Sequence, residues 1–260
     1  MERLTDAKYW DENWWKGLRP RRLRLYRDFD YETVRLLRTQ AGRGFARVLE
    51  IGAGGSRVLP YLRKRFGYTV FGADFSLRGC ALLRANLALA RVSGCVVCED
   101  MFCSSLAPES FDLVFSSGLI EHFSDTRVAV ALHLERLRPG GRLVLIVPNL
   151  QGVQGRIWRR LAPALWAKHK VFGPSELAAV LRDCGLAEVR CGYLGSFFIH
   201  IGRGEEWTAI TRLPAWVQRL AHRTAWLASG IVSFIFRVSP VRPHSRAFST
   251  AFYASGVKLP

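Results

Sequence analysis

The sequence predicts an α/β fold in which a doubly wound, largely parallel sheet carries helices on both faces. Short β-rich runs alternate with helical patterns over residues 46–148, which is typical of βαβ units. The first run leads directly into a glycine-rich turn and then a helix, as ligand-binding crossovers do in such sheets. With 260 residues, 49% of them hydrophobic, the chain can bury a sizeable core, and its composition does not suggest disorder.

Hydrophobic periodicity and turn residues place the elements in order along the chain. A helix is predicted over residues 30–40, ahead of the first strand. Strands are predicted over residues 46–51, 68–73, 95–98, 111–115 and 142–147, with helices over 56–66, 76–90 and 125–137 between them. The sequence Leu-Arg-Pro-Gly-Gly at 137–141 indicates a turn that ends the last of these helices and starts the next strand.

The regular alternation ends after Pro148. Residues 149–172 form a basic insertion that contains tryptophan, and a helix over 174–184 and a strand near 188–193 follow it. Residues 195–245 are a long aromatic stretch with helical character, and 247–258 indicate a last strand. The predicted organisation is therefore an N-terminal lid or helical segment (1–41), a core (42–148), and a remainder (149–260) with cap insertions at 149–172 and 195–245. Such segments usually cap the carboxyl ends of the strands, where ligands bind.

The formal charge of +17 comes mostly from arginine. This high positive charge would be explained by a compositional bias toward arginine. It would equally be explained by an anionic substrate, nucleic acid or an anionic membrane surface as the partner. Six cysteines without disulfide-framework spacing, and a start without an apolar signal stretch, favour a reducing cytoplasm. Cys95 and Cys98 form a C-x-x-C without a second pair, so buried thiols are expected there rather than zinc. The apolar stretch 224–236 is too short to span a bilayer but suits a membrane interface.

The glycine-rich turn lies in the sequence Val-Leu-Glu-Ile-Gly-Ala-Gly-Gly-Ser at 48–56. Gly52 and Gly54, with Ala53 between them, let the backbone turn sharply and let a ligand approach the main chain. A dinucleotide motif would need a third glycine where this chain has Arg57. Glu50 would repel a pyrophosphate but attract the sulfonium and α-ammonium groups of S-adenosylmethionine. The turn therefore favours S-adenosylmethionine over NAD.

Two further carboxylates follow the next two strands. Asp74 ends the second strand, where a carboxylate can accept hydrogen bonds from ribose hydroxyls. Asp100 follows the third strand and is expected to accept from the adenine amino group, with Phe75 and Met101 offering apolar contact to the ring. Acids at successive strand ends converge on one edge of a parallel sheet, so they predict one adenosine site.

Five motifs in sequence resemble the class I, Rossmann-like methyltransferase family of the small-molecule type: VLEIGAGGS, VFGADFS, CEDMF, FDLVFSSGLIEHF and LRPGGRLVLIVPN. The resemblance covers about residues 46–148. It implies a seven-stranded sheet with an antiparallel last strand, S-adenosylmethionine as cofactor and S-adenosylhomocysteine as product. It also implies that Ser116, Ser117 and Gly118 line the methionine side, and that the other cofactor contacts are Glu50, Gly52, Ala53, Gly54, Asp74, Phe75, Asp100 and Met101.

His122 follows the fourth strand and is the candidate catalytic residue. It is expected at the mouth of the cleft as a base or substrate contact, and a packing or capping role is the alternative. Some relatives of the ubiquinone O-methyltransferase type hold a divalent metal with Glu-x-x-Glu-His here. This chain has Gly118 in place of the first glutamate, so no metal is expected. The fourth-strand sequence also lacks the Asn/Asp-Pro-Pro-Tyr/Phe turn of enzymes that methylate adenine amines.

Aromatic residues in the capping segments predict an enclosed, small, apolar or aromatic biosynthetic acceptor, with oxygen slightly favoured over nitrogen or carbon as the methylated atom. The N-terminal segment is too aromatic for a free tail and is expected to fold as a lid. Two alternatives remain open: an RNA methyltransferase that uses the basic surface, although nucleic acid is disfavoured, and a membrane-surface methyltransferase with a lipid-like acceptor. A non-enzymatic binding role is a third. The candidate acceptor contacts are Tyr9, Trp10, Asn149, Trp158, His169 and Tyr193.

Overall fold

A computed structural model describes residues 3–41, 46–199, 201, 206–238 and 244–260, and these residues contain a seven-stranded sheet. Its strand order is β3-β2-β1-β4-β5-β7-β6, in which neighbours pair in parallel except that β7 is antiparallel to both β5 and β6. The expected doubly wound sheet with an antiparallel last strand is confirmed. The strands are β1 (Arg47–Ile51), β2 (Thr69–Asp74), β3 (Cys95–Cys98), β4 (Phe111–Ser117), β5 (Leu137–Pro148), β6 (Leu186–Leu194) and β7 (Ala251–Lys258).

Helices cover both faces of this sheet, and some of them begin at a capping side chain. Ser76 caps one helix, since its hydroxyl accepts from the Gly79 amide at 2.9 Å. A short π-helix spans Trp10–Trp14, and 3-10 turns span Met101–Cys103 and Ile120–His122. The α-helices are α1 (Ala7–Tyr9), α2 (Asp28–Gln40), α3 (Val58–Phe66), α4 (Leu77–Ala90), α5 (Thr126–Arg136), α6 (Val153–Leu161), α7 (Pro163–Trp166), α8 (Pro174–Asp183), α9 (Thr208–Thr211) and α10 (Ala215–Val238).

The core lies in two layers, one on each face of the sheet. In β5, Leu143 and Leu145 belong to one apolar cluster and Val144 and Ile146 to the other, because alternate residues of a strand point to opposite faces. Helices α5 and α8 complete the first cluster, and α2, α3 and α4 complete the second. The central strands are therefore buried on both sides, as their continuous apolar runs predict.

Two local expectations are wrong. Residues 137–141 are not a turn between elements: Leu137 already pairs with Phe111 and Arg142 pairs with Leu113, so the intervening residues form an irregularity within β5. Pro139 cannot donate to the ladder, which explains the interruption. The Cys95 and Cys98 side chains are exposed rather than buried, because β3 is the outermost strand on its side of the sheet.

The capping segments leave the sheet at one edge. Since β5 and β6 are both antiparallel to β7, they run in the same direction, and the insertions after them begin at the carboxyl ends of the parallel strands. A third apolar cluster joins the two insertions, with Trp158 from α6 packed near Trp207 before α9. Residues 200, 202–205 and 239–243 of the 195–245 insertion and residues 42–45 at the start of the core lie outside the described residues. The three-part organisation stays a prediction.

Candidate active site

The glycine-rich turn after β1 is fastened to the end of β2. The amides of Gly52 and Ala53 both donate to the carbonyl oxygen of Ala73, at 2.9 and 3.0 Å, and the Gly54 amide donates to Asp74 Oδ2 at 2.6 Å. Gly52 has φ +72°, a conformation that favours glycine. The Ala53 side chain is fully buried in the core. The turn therefore presents mainly backbone to the edge of the sheet.

Asp74 stiffens this turn and stands at the predicted ribose position. Its second oxygen accepts from the Ser76 amide at 2.8 Å. Burial raises the pKa of Asp74 to about 6, against the lowering effect of the two amide bonds from Ser76 and Gly54, and nearby Asp11 raises it further. The carboxylate is thus held rigidly at the end of β2.

Glu50 is a buried acid beside the same turn. The Ser56 hydroxyl donates to its Oε2 at 2.5 Å. Burial raises the pKa of Glu50 to about 8, the Ser56 hydrogen bond opposes this rise, and the charge of Asp74 adds to it. A buried carboxyl with a raised pKa is stabilised in its charged form by a cation. The site therefore fits the cationic amino-acid end of S-adenosylmethionine and does not fit a pyrophosphate.

Arg3 occupies the predicted adenine position. Its guanidinium forms an ion pair with Asp100 and lies 5.3 Å from the ring centre of Phe75 and 4.4 Å from that of Phe102. Burial acts to raise the pKa of Asp100, but the Arg3 hydrogen bond and the Phe102 amide outweigh it and lower the pKa. Met101 lies in the following 3-10 turn and packs against the core. The motif residues predicted this position, but no sequence pattern indicated Arg3.

The rest of the N-terminal segment (residues 3–15) covers other candidate cofactor residues. Asp11 Oδ1 accepts from the Ser76 hydroxyl at 2.5 Å. The Trp15 ring packs so closely on the turn that a Cβ atom added to Gly54 would lie 2.7 Å from it. The aromatic density of the segment predicted a folded lid, and the structure places it over the candidate cofactor site.

The end of β4 supplies the predicted methionine side. The Ser116 hydroxyl is buried, and the described residues offer it no hydrogen-bond partner. Gly118, which follows Ser117, has φ +70° and donates its amide to Ile146 at 2.9 Å. A buried hydroxyl without a partner is costly, so a polar ligand group beside Ser116 would stabilise it.

His122 is buried at the end of the next turn, with a defined tautomer. Its Nδ1 lies 2.8 Å from the carbonyl oxygen of Lys168. A carbonyl only accepts, so Nδ1 carries the proton and Nε2 of the neutral ring has a free electron pair. Burial lowers the pKa of His122 to about 3, and His169 lowers it further. The imidazole is therefore neutral at physiological pH.

Four of the six candidate acceptor residues gather around His122. The Trp10 ring meets the imidazole edge-on with 5.1 Å between ring centres, and His169 lies 4.5 Å from it on another side. Trp158 meets His169 edge-on, with 5.4 Å between the ring centres. Tyr9 adjoins Trp10 at 5.4 Å. Together with His122 these residues form the ring cluster, which joins the N-terminal segment to the first insertion.

Asn149 and Tyr193 have other surroundings. The Asn149 side-chain amide donates to the carbonyl oxygens of Arg246 and Ser249, at 2.8 and 2.9 Å, and so fixes the chain before β7. Tyr193 lies in β6, paired with Phe252, and packs against the core. The structure does not bring these two residues into the ring cluster.

Glu121, His122 and His169 have ligand atoms within 4.8 Å of one another and could together hold a metal ion. Glu121 is 1% exposed, and neither of its carboxylate oxygens has a hydrogen-bond partner among the described residues. Burial raises the pKa of Glu121 to about 8. The expectation of no metal, which rests on Gly118 in place of a glutamate, stays a prediction. No local spacing could have indicated His169, because the insertion folds back onto Glu121 through a 2.7 Å main-chain bond from Lys170.

Comparisons with known proteins agree with this geometry. Residues 49–145 match the family described as a methyltransferase domain. A ubiquinone biosynthesis O-methyltransferase from Cereibacter sphaeroides is 30% identical over 157 residues, which cover 55% of this chain and 61% of that protein. The chain thus spans about three fifths of the length of this curated relative.

Solved structures show the same fold at low identity. A SAM-dependent methyltransferase from Archaeoglobus fulgidus has a TM-score of 0.55 at 19% identity, covering 87% of this chain and 91% of that one. Phosphoethanolamine N-methyltransferase 2 from Haemonchus contortus, in complex with S-adenosyl-L-methionine, has a TM-score of 0.61 at 16% identity, covering 98% and 60%. Residues 49–145 of this chain therefore match a methyltransferase domain in sequence, and the fold around them is similar to that of solved S-adenosylmethionine-dependent methyltransferases.

Proposed function

We propose that this chain transfers a methyl group from S-adenosylmethionine to a small, apolar or aromatic biosynthetic acceptor, with oxygen as the favoured atom. The observation that carries the proposal is the placement of Glu50, Asp74 and Asp100 at successive strand ends around the glycine turn. Each of these acids suits a different part of the cofactor. Their order along the sheet gives the cofactor a direction, with adenine toward β3 and the methionine toward β4.

The residues divide the binding work by charge and position. Glu50 attracts the α-ammonium group, Asp74 accepts from ribose hydroxyls, and Asp100 accepts from the adenine amino group once Arg3 has moved away. The Ser116 hydroxyl offers a hydrogen bond on the methionine side. When bound, S-adenosylmethionine supplies a methyl carbon already activated by its sulfonium. The protein then has to align an acceptor with that carbon and exclude water.

The ring cluster is suited to the acceptor. Trp10 and Trp158 provide flat apolar surfaces, and His122 Nε2 is available to take the proton of a hydroxyl acceptor as the new bond forms. Alignment supplies up to about 7–11 kcal/mol in favourable cases, whereas a general base supplies a factor of about 10²–10⁴. A histidine with a pKa near 3 is a weak base, so alignment carries more of the rate than proton transfer does.

The acceptor class draws support from the relatives. Several curated relatives at about 30% identity carry the name ubiquinone biosynthesis O-methyltransferase, which favours oxygen and a small biosynthetic acceptor. The RNA alternative rests on positive charge alone, and basic patches alone are weak evidence. The alternative of a lipid-like acceptor would require the capping segments to contact a membrane.

Cofactor binding gives a direct test. We expect calorimetry to show micromolar-scale binding of S-adenosylhomocysteine and no binding of NAD. Asp74→Ala should weaken this binding by about 1–3 kcal/mol, the cost of a lost charge-assisted hydrogen bond. Asp183→Ala is the matched control, because that carboxylate is exposed and pairs with Arg127 at the surface. Equal affinity in the wild type and Asp74→Ala would contradict the proposal.

A further inference from the structure

Helix α10 directs its large apolar side chains away from the protein. Trp216, Leu220, Leu227, Ile231 and Phe234 are between 52% and 65% exposed. They are separated by four, seven, four and three residues, so they lie on one face of the helix. This set is the apolar face of α10. An exposed apolar face of this size is unusual on a soluble monomer and marks an interaction surface.

The opposite face of α10 is small and polar. Ser229 is 1% exposed, and its hydroxyl accepts from the Ile199 amide at 2.8 Å. The Ser233 hydroxyl donates to the Phe197 carbonyl oxygen at 2.9 Å. A helix that packs on a water-soluble domain normally buries its apolar residues and exposes its polar ones. Here the order is reversed, so the medium that meets the apolar face is expected to be less polar than water.

The charges beside this face have one sign. The sequence of α10 contains no aspartate or glutamate. Arg219 and Arg223 are exposed on one flank of the apolar face, and exposed Arg212 precedes the helix. Arginines beside an apolar stripe that carries tryptophan suit the boundary between phospholipid headgroups and acyl chains. Within the described ranges, no helix is long and apolar enough to cross a membrane.

The position of α10 fits the same kind of contact. The segment that leads to it leaves the carboxyl end of β6, at the same sheet edge as the candidate cofactor residues. A cavity of about 330 Å³ lies beside the helix and is lined by Phe198, Ile199, Ile201, His222, Arg223, Ala225 and Trp226. Its lining combines apolar side chains with a cation, which is the combination that an anionic amphiphile requires.

We propose that α10 docks in the plane of an anionic phospholipid membrane, with its apolar face in the headgroup boundary and Arg219 and Arg223 against lipid phosphates. The helix would lie on the membrane surface, since its apolar residues form a stripe and not a complete cylinder. This docking does not depend on the methyltransferase reaction. It would bring the edge of the sheet that holds the cofactor residues toward the lipid.

Vesicle flotation of the whole chain tests the proposal. We expect the protein to float with vesicles of phosphatidylglycerol and phosphatidylcholine, and to float far less with phosphatidylcholine alone. The double variant L227E/F234E should bind the anionic vesicles at least tenfold more weakly. Leu77→Glu is the matched control, because Leu77 on α4 is 70% exposed and lies outside the apolar face; it should bind like the wild type.

A second variant separates the contribution of the arginine charges to membrane binding from that of the apolar face. R219E/R223E keeps the apolar face, and we expect it to lose most binding to the anionic vesicles, as should the wild type in high salt. Circular dichroism and S-adenosylhomocysteine binding of each variant check that the fold is intact. If the wild-type protein binds neither kind of vesicle, the proposal is overturned. So does a wild-type dimer that L227E/F234E converts to monomers without any vesicle binding, since a second copy would then cover the face.

Discussion

The two carboxyls at the glycine turn form one electrostatic unit. Burial raises the pKa of Glu50 to about 8 and that of Asp74 to about 6, and the charge of Asp74 adds to the rise at Glu50. Such a pair is poorly stabilised when both groups are ionised and no cation is near. Cofactor binding and proton release are therefore expected to be coupled.

Affinity for S-adenosylhomocysteine should accordingly depend on pH. Below pH 8 the Glu50 carboxyl of the free protein is mostly protonated, and the ligand's α-ammonium group favours the ionised form. Binding therefore releases a proton, and affinity should rise between about pH 6 and pH 8, by up to about tenfold per unit. Glu50→Gln should flatten this dependence. Calorimetry in two buffers of different ionisation heat measures the released proton, and binding of the wild type that does not vary with pH would contradict the assignment.

His122 gives a second prediction. If the acceptor is a hydroxyl, His122→Ala should lower turnover by about 10²–10⁴ and leave S-adenosylhomocysteine affinity nearly unchanged. The control is His133→Ala, which removes another buried histidine whose Nδ1 contacts the Ala129 carbonyl within α5. That variant should lose stability but keep its turnover per folded molecule. Similar turnover losses in both variants would point to a packing role for His122.

Sequence predicted the motif residues because their neighbours along the chain define them. An acid at a strand end, or a glycine in a turn, can be identified from a few adjacent residues. Arg3 beside Asp100 and His169 beside His122 could not be predicted in this way, because the ion pair and the ring contact join distant segments. These contacts arise from how the N-terminal segment and the insertion pack across the edge of the sheet.

Among the elements, the N-terminal segment lies over the residues proposed to bind the cofactor. Arg3 forms an ion pair with the Asp100 carboxylate, and Trp15 packs over the glycine turn. Under the proposed function the segment would have to shift before adenosine binds, and we expect it to close over the bound ligand afterwards. Deletion of residues 1–27 would combine the two effects, so a single side chain is the cleaner test.

Arg3→Ala should bind S-adenosylhomocysteine about two- to fivefold more tightly than the wild type. The Arg3 and Asp100 side chains are 25% and 36% exposed, and an ion pair of this kind contributes up to about 1 kcal/mol. Removing it releases Asp100 for the adenine amino group. Lys16→Ala is the control, since Lys16 is an exposed cation of the same part of the chain. Weaker binding by Arg3→Ala would show that Arg3 instead holds the bound adenosine.

The element boundaries also show where sequence reasoning fails. It placed the strands correctly, because apolar runs and glycine breaks are local signals. The thiols of Cys95 and Cys98 in β3 were wrongly expected to be buried, because no local signal shows that a strand is at the edge of a sheet. Residues 137–141 were expected to form a turn outside β5, because proline and glycine usually indicate a turn. In the structure β4 pairs with β5 on both sides of these residues, so they remain part of the strand.

In the molecule as a whole, three segments outside the sheet converge on one edge. The N-terminal segment, the first insertion and α10 all lie where the parallel strands end, although they come from distant parts of the chain. The opposite edge carries the irregularity in β5 and the start of each parallel strand. Catalysis, entry of the acceptor and the proposed membrane contact would thus share one side of the protein.

The formal charge of +17 bears on whether the protein binds RNA. Arginines are dispersed along the sequence in separate groups, within residues 19–27, 156–160 and 212–223. Positive charge alone attracts any polyanion but does not build a specific site. RNA binding should therefore be weak, and it should fall by orders of magnitude between about 50 and 200 mM salt. Filter binding with a structured RNA and with a random RNA should give similar, unsaturated curves near 150 mM salt. A saturable nanomolar complex with only one of them would make RNA the better acceptor, because dispersed charge alone cannot discriminate between sequences.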